Sequence, residues 1–233
     1  MKTQVQTTSK KPEGTAICLV SGGMDSCVCA AIAVSRHRET AFLHVNYGQR
    51  TERTELEAFQ RIAAHYGITK QLTADISYLA EIGGSALTDR RIEVPTTNME
   101  NNMIPATYVP FRNTHLIAIA VSWAEVIGAG YIYIGATEVD NSGYPDCRAA
   151  YFKAFNRLIQ AGTRPETRIE IITPLLHMTK REVVLTGIQL QAPLHLTWSC
   201  YKNEKLACGR CDSCRLRLKG FEEAGVKDPI PYE

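Results

Sequence analysis

The sequence predicts an α/β domain built on a doubly wound, Rossmann-like parallel sheet of about five strands. Five short runs rich in Val, Ile, Leu, Phe and Tyr alternate with segments of helical periodicity. This alternation is typical of strands that are buried on both faces and joined by helical crossovers. The chain has 233 residues, 45% of them hydrophobic, which is enough to bury a full core. One such domain is therefore expected over residues 15–233.

Each element has its own signal. The predicted strands are short and lie beside Gly, Asn or Asp. Gly67 and Gly128 end two helices, and Thr179 with Glu182 forms a capping box at the start of another. The strands are predicted at 16–20, 41–46, 69–74, 131–135 and 168–172, and the helices at 25–36, 51–66, 113–127, 148–161 and 179–190. Residues 83–112 lack the hydrophobic periodicity of a helix or a strand, which is typical of a functional or disordered loop.

Composition narrows the function classes. The formal net charge is +2 and no apolar run reaches 18 residues, so neither direct nucleic-acid binding nor a membrane span is favoured. Residues 1–14 lack the apolar core of a signal peptide and are expected to form a flexible tail. Four of the eight cysteines cluster within fifteen residues, which favours a metal site in a reducing cytoplasm over a disulfide scaffold.

A glycine-rich loop, VSGGMDS, follows the first predicted strand. Two glycines let the backbone approach a ligand closely, and N–H groups at the helix N-terminus can hold a phosphate. Asp25 would repel phosphate, so it either caps the helix or acts through Mg²⁺. The chain contains neither G-x-x-x-x-G-K-[ST] nor G-x-G-x-x-G. The predicted nucleotide-binding residues are Val20, Ser21, Gly22, Gly23, Met24, Asp25 and Ser26.

Further polar residues follow other predicted strands and meet the loop at the carboxyl edge of the sheet. Arg112 can direct a fixed fork of donors at a phosphate or a carboxylate, and Lys180 can neutralise phosphate charge. Carboxylates after the fourth strand can accept from a guanine-like edge, and Tyr144 can stack on a flat ring. The predicted substrate-binding residues are Tyr47, Gln49, Asp140, Tyr144, Asp146 and Arg148.

Cys200, Cys208, Cys211 and Cys214 have the spacing C-x7-C-x2-C-x2-C. Four thiolates suit a structural tetrahedral Zn²⁺, and a zinc-binding segment is expected over 195–221. An iron–sulfur cluster and free thiols are the alternatives. His195 is expected to be a packed structural residue, with replacement of one cysteine ligand as the alternative. Six basic residues nearby form either a solvated rim or an anion-binding patch: Lys202, Lys205, Arg210, Arg215, Arg217 and Lys219.

The motif SGGMDS resembles the SGGxDS loop of the ATP pyrophosphatases. Together with VNYGQR, YVPFRN, SGYPDCR and TWSCY followed by three cysteines, it resembles the 7-cyano-7-deazaguanine (preQ0) synthase family of queuosine biosynthesis. Two positions depart from the family's commonest form. Phe111 replaces a small residue, often Gly, and Thr137 replaces a cysteine.

The resemblance implies a C–N ligase that converts 7-carboxy-7-deazaguanine, ATP and ammonia to 7-cyano-7-deazaguanine, with AMP and pyrophosphate released. It implies Asp25, Ser26, Arg112 and Lys180 as catalytic residues, with Mg²⁺, one structural Zn²⁺ and a homodimer. Three alternatives stay open. They are a paralogue that transfers the activated acid to another amine, a tRNA-modifying adenylase of the same superfamily, and a zinc-dependent binding module.

Overall fold

The computed structural model describes residues 14–96, 104–139 and 143–233. Nearly all of the predicted tail therefore lies outside the described residues. The five strands are β1 (Thr15–Leu19), β2 (Glu39–Asn46), β3 (Gln71–Asp75), β4 (Ala129–Ile134) and β5 (Glu170–Ile172). The α-helices are α1 (Met24–Arg36), α2 (Glu52–His65), α3 (Tyr78–Ile82), α4 (Arg112–Ile127), α5 (Ala149–Gly162), α6 (Lys180–Gln189) and α7 (Asp212–Glu223). Short 3-10 turns lie at Pro145–Cys147 and Leu194–Leu196.

All five strands form one parallel sheet in the order β3-β2-β1-β4-β5. The chain moves outward from β1 to β3, then returns to place β4 on the other side of β1. Ile17 in β1 pairs with Ala41 in β2 and Ile132 in β4. This reversal creates a crevice at the carboxyl ends of β1 and β4, where open α/β sheets bind their ligands. The predicted fold class is confirmed.

The two sheet faces carry separate apolar cores because neighbouring strand residues point in opposite directions. Ile17 and Leu19 belong to one core, which also contains residues of α4 and α5. Ala16 and Cys18 belong to the other, with residues of α1, α2, α6 and α7. The sheet is therefore covered on both faces, as its continuous apolar strands predict.

All five predicted strands and all five predicted helices are present, with ends shifted by one or two residues. The capping box is confirmed, since the Glu182 N–H donates to Thr179 Oγ1 and the Thr179 N–H donates to Glu182 Oε2. Two helices, α3 and α7, were not predicted. In α7 the charged sequence carries only a weak apolar stripe, and the helix is held through contacts with the rest of the fold. In the part of the chain that the structure describes, no helix is long and apolar enough to cross a membrane.

The backbones of helices α6 and α7 come into close contact at Gly220, which has no side chain to separate them. A methyl group there would lie 2.8 Å from Lys180 Cβ and 3.0 Å from the Lys180 carbonyl oxygen. This contact fixes the position of Lys180, the first residue of α6.

Gly220→Ala should lower the free energy of unfolding by about 1–3 kcal/mol, since the added methyl must displace backbone. Urea unfolding monitored by circular dichroism measures this change. Gly162→Ala is the matched control because a methyl group at this helical position meets no atom within 4 Å. It should be neutral or slightly stabilising. Equal effects of the two substitutions would contradict the packing assigned to Gly220.

Candidate active site at the carboxyl edge of the sheet

The glycine loop leaves β1 and is held tightly by its neighbours. The Val20 N–H donates to the Leu43 carbonyl at 2.8 Å, which continues the β1–β2 pairing. Gly22 has φ +91°, and a methyl group there would lie 2.5 Å from the Glu55 carbonyl oxygen. The Gly22 carbonyl accepts from the Trp198 N–H at 2.8 Å. Only glycine fits this position, because both the φ angle and the contact with α2 exclude a side chain.

The rest of the loop turns into α1 with its serines facing each other. Ser21 Oγ accepts from the Gly23 N–H and donates to Ser26 Oγ at 3.1 Å, and Ser26 Oγ donates to the Gly23 carbonyl. Gly23 is the N-cap of α1 and supplies no side-chain cap. The first N–H groups of the helix, with Met24 as its first residue, thus point to the crevice and can bind an anion.

Asp25 and Lys180, 155 residues apart in sequence, form an ion pair with 2.6 Å between Oδ2 and Nζ. Lys180 Nζ also lies 3.5 Å from the Oγ1 of Thr137, three residues after the end of β4. Asp25 therefore does not cap α1, and that alternative is wrong. Its Oδ1 is buried and has no hydrogen-bond partner among residues 14–96, 104–139 and 143–233.

A second cluster surrounds Arg112 at the start of α4. Arg112 Nη1 donates to the Tyr47 hydroxyl at 3.1 Å, and the guanidinium carbon lies 5.0 Å from the centre of the Tyr47 ring. Phe111 precedes it with φ +58° and an exposed side chain. This left-handed backbone region favours glycine, and Phe111 adopts it with its side chain directed to solvent.

Asp146 joins the Arg112 cluster from the loop after β4. Its Oδ2 accepts from the Asn113 N–H at 2.9 Å, and Asn113 Nδ2 donates to the Asp146 carbonyl. Burial raises the pKa of Asp146, and the Asn113 N–H and Arg112 oppose the rise. Tyr144 donates to Thr107 Oγ1 and lies 5.5 Å from the Tyr108 ring centre. The structure thus brings Tyr47, Arg112, Tyr144 and Asp146 together.

The other three predicted substrate-binding residues are not shown in this cluster. Gln49 is buried, and its amide accepts from the Tyr47 N–H and donates to Glu55 Oε2 at 3.2 Å. It is therefore placed to hold the Tyr47 loop. Arg148 is exposed and begins α5 as its N-cap. Asp140 lies outside the described residues.

Sequence analysis missed Glu55. It accepts from Thr51 Oγ1 at 2.7 Å and from Gln49, and burial raises its pKa to about 7. Thr51, Gln49 and Arg112 oppose that rise. The spacing of Thr51 and Glu55 indicates a local hydrogen bond within one helical turn. The burial that changes the pKa depends on tertiary packing and leaves no signal in sequence.

The four clustered cysteines are buried, and their sulfur atoms all lie within 4.8 Å of one another. A tetrahedral metal with bonds of about 2.3 Å to sulfur needs sulfurs about 3.8 Å apart. The 4.0 Å separation of Cys208 and Cys214 fits this value. Hydrogen bonds from Cys211, Cys214 and backbone N–H groups lower the pKa of Cys200, which favours the thiolate form that binds metals. The site can hold a metal ion.

Two expectations about this segment are wrong. His195 is exposed, and the metal-binding group found in the described chain consists of the four cysteines alone. Arg217 is not on a solvated rim. It is 1% exposed, and its Nε and Nη2 donate to Asp228 at 2.7 and 2.9 Å, while Nη1 donates to Thr197. Sequence spacing gives no indication of this buried ion pair.

Residues around the first cysteine of the cluster connect it to both parts of the crevice. Trp198 binds Gly22, as described, and Tyr201 packs against the metal-site core and one sheet core together. Burial is the main cause that raises the pKa of Tyr201, and the nearby Tyr144 and Tyr47 hydroxyls raise it further. Tyr201 was not predicted as a site residue, although it lies within the TWSCY motif.

Comparison with known proteins then decides the family. Residues 15–225 match the family described as Queuosine biosynthesis protein QueC. The chain belongs to the QueC family. Curated relatives from Chlorobium chlorochromatii (strain CaD3) and Chlorobaculum tepidum are each 56% identical over 218 residues. A relative from Chloroherpeton thalassium is 54% identical over the same length. Each alignment covers 94% of this chain and 96% of the relative, and each relative is named 7-cyano-7-deazaguanine synthase. The predicted family is confirmed.

A solved structure shares the fold of this QueC family member. It is a crystal structure of a 4-thiouridine synthetase–RNA complex with bound ATP, with a TM-score of 0.50 and 16% sequence identity. The match covers 94% of this chain and 47% of that chain. At this identity the likeness shows the fold alone.

Glu55→Gln should change how stability depends on pH. The pKa of a Glu carboxyl is near 4.5 in an unfolded chain, and burial raises the pKa of Glu55 to about 7 in the folded chain. Between these pH values the folded state therefore holds one more proton than the unfolded state. Wild-type stability contributed by Glu55 should therefore fall as pH rises from about 4.5 to about 7. Over that interval the variant should gain up to about 3 kcal/mol relative to the wild type.

Urea unfolding at a series of pH values from 5 to 8 measures this difference. Glu57→Gln is the control, since Glu57 is an exposed partner of Arg53 on the same helix. A Glu55→Gln difference that stays constant across the series would show that Glu55 ionises normally.

Proposed function

We propose that this chain converts 7-carboxy-7-deazaguanine and ammonia to 7-cyano-7-deazaguanine, using ATP that is cleaved to AMP and pyrophosphate. One observation carries the proposal. In a member of the QueC family, the glycine loop and the Asp25–Lys180 pair meet at the crevice between β1 and β4. The loop offers N–H donors, the pair offers a cation, and the chain has no P-loop lysine motif.

The chemistry follows from the poor reactivity of a carboxylate toward amines. A carboxylate oxygen attacks the α-phosphorus of ATP and displaces pyrophosphate, which gives an acyl adenylate. Ammonia adds at the acyl carbon and displaces AMP, which leaves an amide and releases a proton. The amide oxygen then attacks the α-phosphorus of a second ATP and displaces pyrophosphate, and loss of AMP and of both amide protons forms the nitrile. The protein contributes positioning and stabilisation of phosphate charge.

We assign the pyrophosphate side to residues 20–26 and Lys180. Ser21 and Ser26 supply hydroxyls beside the α1 N-terminus, and Lys180 offsets negative charge as it develops on the leaving pyrophosphate. The buried, unpartnered Oδ1 of Asp25 fits a ligand of Mg²⁺, which when bound would neutralise phosphate charge. Asp25, Ser26, Arg112 and Lys180 are the proposed catalytic residues.

We assign the second cluster to the organic substrate. Tyr47 and Tyr144 offer aromatic surface, and Asp146 offers a buried acceptor for a ring N–H. Arg148 and Asp140 stay proposed as substrate-binding residues, and Gln49 is proposed to hold Tyr47 in place. Tyr201 is added here because the hydroxyls of Tyr144 and Tyr47 lie close enough to raise the pKa of the Tyr201 hydroxyl.

Product analysis tests the proposal. Liquid chromatography with mass spectrometry of ATP, ammonium and the acid, incubated with the protein, should show the nitrile together with AMP and pyrophosphate. Lys180→Gln should reduce kcat by about 10²–10³-fold, because a preorganised charge at the leaving group is lost. Lys153→Gln, an exposed lysine of α5, should behave as the wild type.

ADP and orthophosphate as the main products would contradict the proposal. A product that stops at an amide, or that carries a different amine, would identify a paralogue and would give Phe111 and Thr137 a role in acceptor choice.

We further propose that the four cysteines hold one structural Zn²⁺. Four thiolate donors, all within 4.8 Å of one another, would fill every coordination position of a tetrahedral ion, so the metal would stabilise the segment that carries Trp198 and Tyr201. Zinc bound here would therefore stabilise residues that contact the crevice, without itself contacting the substrate.

Cys211→Ser should lower the metal content well below the one Zn²⁺ per chain expected for the wild type, and should lower Tm. Elemental analysis and differential scanning calorimetry measure the two effects. Cys29→Ala, a buried thiol of α1 outside the cluster, should keep its full zinc content. Iron with inorganic sulfide, or no stoichiometric metal in the wild type, would show that the assignment is wrong.

A further inference from the structure

Among the described residues, Arg112 forms no hydrogen bond or ion pair with the glycine loop. Its described hydrogen bonds go to the Tyr47 hydroxyl at 3.1 Å and to Asn113 Oδ1 at 3.5 Å. Within residues 14–96, 104–139 and 143–233, its guanidinium takes part in no ion pair. Lys180 instead lies beside the loop, paired with Asp25. The two cations therefore serve different parts of the crevice.

One edge of the Arg112 guanidinium is available for a ligand. Nη1 is occupied by Tyr47, and the ring of Tyr47 lies against the guanidinium at 5.0 Å. Nε is buried and has no hydrogen-bond partner in the described chain, and the 3.5 Å contact of Nη2 is at the limit for a hydrogen bond. Nε and Nη2 form one side of the planar fork, with the geometry that binds both oxygens of a carboxylate.

An unused acceptor lies in the same cluster. Asp146 is 3% exposed, its Oδ2 binds the Asn113 N–H, and its Oδ1 is buried without a hydrogen-bond partner in the structure's described ranges. Asp146 and Glu55 both lie close enough to Arg112 to interact with it electrostatically. Neither of them forms an ion pair with Arg112 in the described chain. Buried groups left without partners are costly. The cluster is therefore complementary to a ligand with an anionic fork and an N–H donor.

We propose that Arg112 binds the carboxylate of the organic substrate through Nε and Nη2, while Asp146 Oδ1 accepts from a ring N–H of the same molecule. Arg112 thus selects a planar heteroaromatic acid, and ATP phosphates are left to the glycine loop and Lys180. This inference rests on the proposed function and gives Arg112 a narrower role within it. Its binding contribution should apply to the charged acid and not to the neutral amide that forms later.

The test compares three substrates in steady-state kinetics with Arg112→Gln and Arg112→Lys. Removal of a charge-assisted bidentate contact should raise KM for the acid by about 10- to 100-fold in Arg112→Gln, and less in Arg112→Lys, which keeps a charge but loses the fork. KM for ATP, and KM for the amide supplied as starting material, should stay within about threefold of wild type. Arg53→Gln, at an exposed arginine of α2, is the control for loss of a positive charge.

Each other outcome contradicts a specific part of the account. A rise in KM for ATP with an unchanged KM for the acid would place Arg112 on phosphate and overturn the inference. Equal rises for acid and amide, or loss of folding in both variants by circular dichroism, would make its role structural and overturn it as well. A wild-type protein that forms no nitrile from the acid would overturn the proposed function itself, whereas active wild type with an indifferent Arg112→Gln would overturn this inference alone.

Discussion

At Gly22 the backbone of the glycine loop is held between two other parts of the chain, and the crevice depends on that contact. The Glu55 carbonyl of α2 lies where a side chain would be, and the Trp198 N–H donates to the Gly22 carbonyl from the other side. The loop conformation is therefore set by packing against residues far away in sequence. A loop fixed in this way can present its N–H groups to phosphate without rearrangement, which is the condition for electrostatic stabilisation of a leaving group.

The C-terminal segment supplies one side of this contact and is itself fixed by buried charge. Arg217 on α7 binds Asp228 with two hydrogen bonds and also donates to Thr197, one residue before Trp198. A buried ion pair of this kind adds little net stability, but removing one partner commonly costs about 3–5 kcal/mol. The four-cysteine site lies in the same segment. Structural metal binding and the buried pair would thus both act on the active site through the position of Trp198 and Tyr201.

The sequence predicted what depends on local pattern. Apolar runs located every strand, and the spacing of the cysteines located a group whose sulfurs are close enough for one metal. Parallel strand order placed Asp25 and Lys180 at one edge, and the structure joins them. Burial was not predictable in the same way. Arg217 looked like a surface residue, and the contact of Arg112 with Tyr47 was not predicted. Both outcomes depend on how distant segments pack.

The transfer of oxygen from the acid to AMP tests the central claim most directly. The 7-carboxy-7-deazaguanine would be labelled with ¹⁸O at both carboxylate oxygens and incubated with ATP, ammonium and the protein. Each adenylation should remove one labelled oxygen, so mass spectrometry should find one ¹⁸O atom in each of two AMP molecules for every unlabelled nitrile formed. Unlabelled AMP, or ¹⁸O in orthophosphate, would contradict adenylation of the substrate oxygen and with it the proposed function.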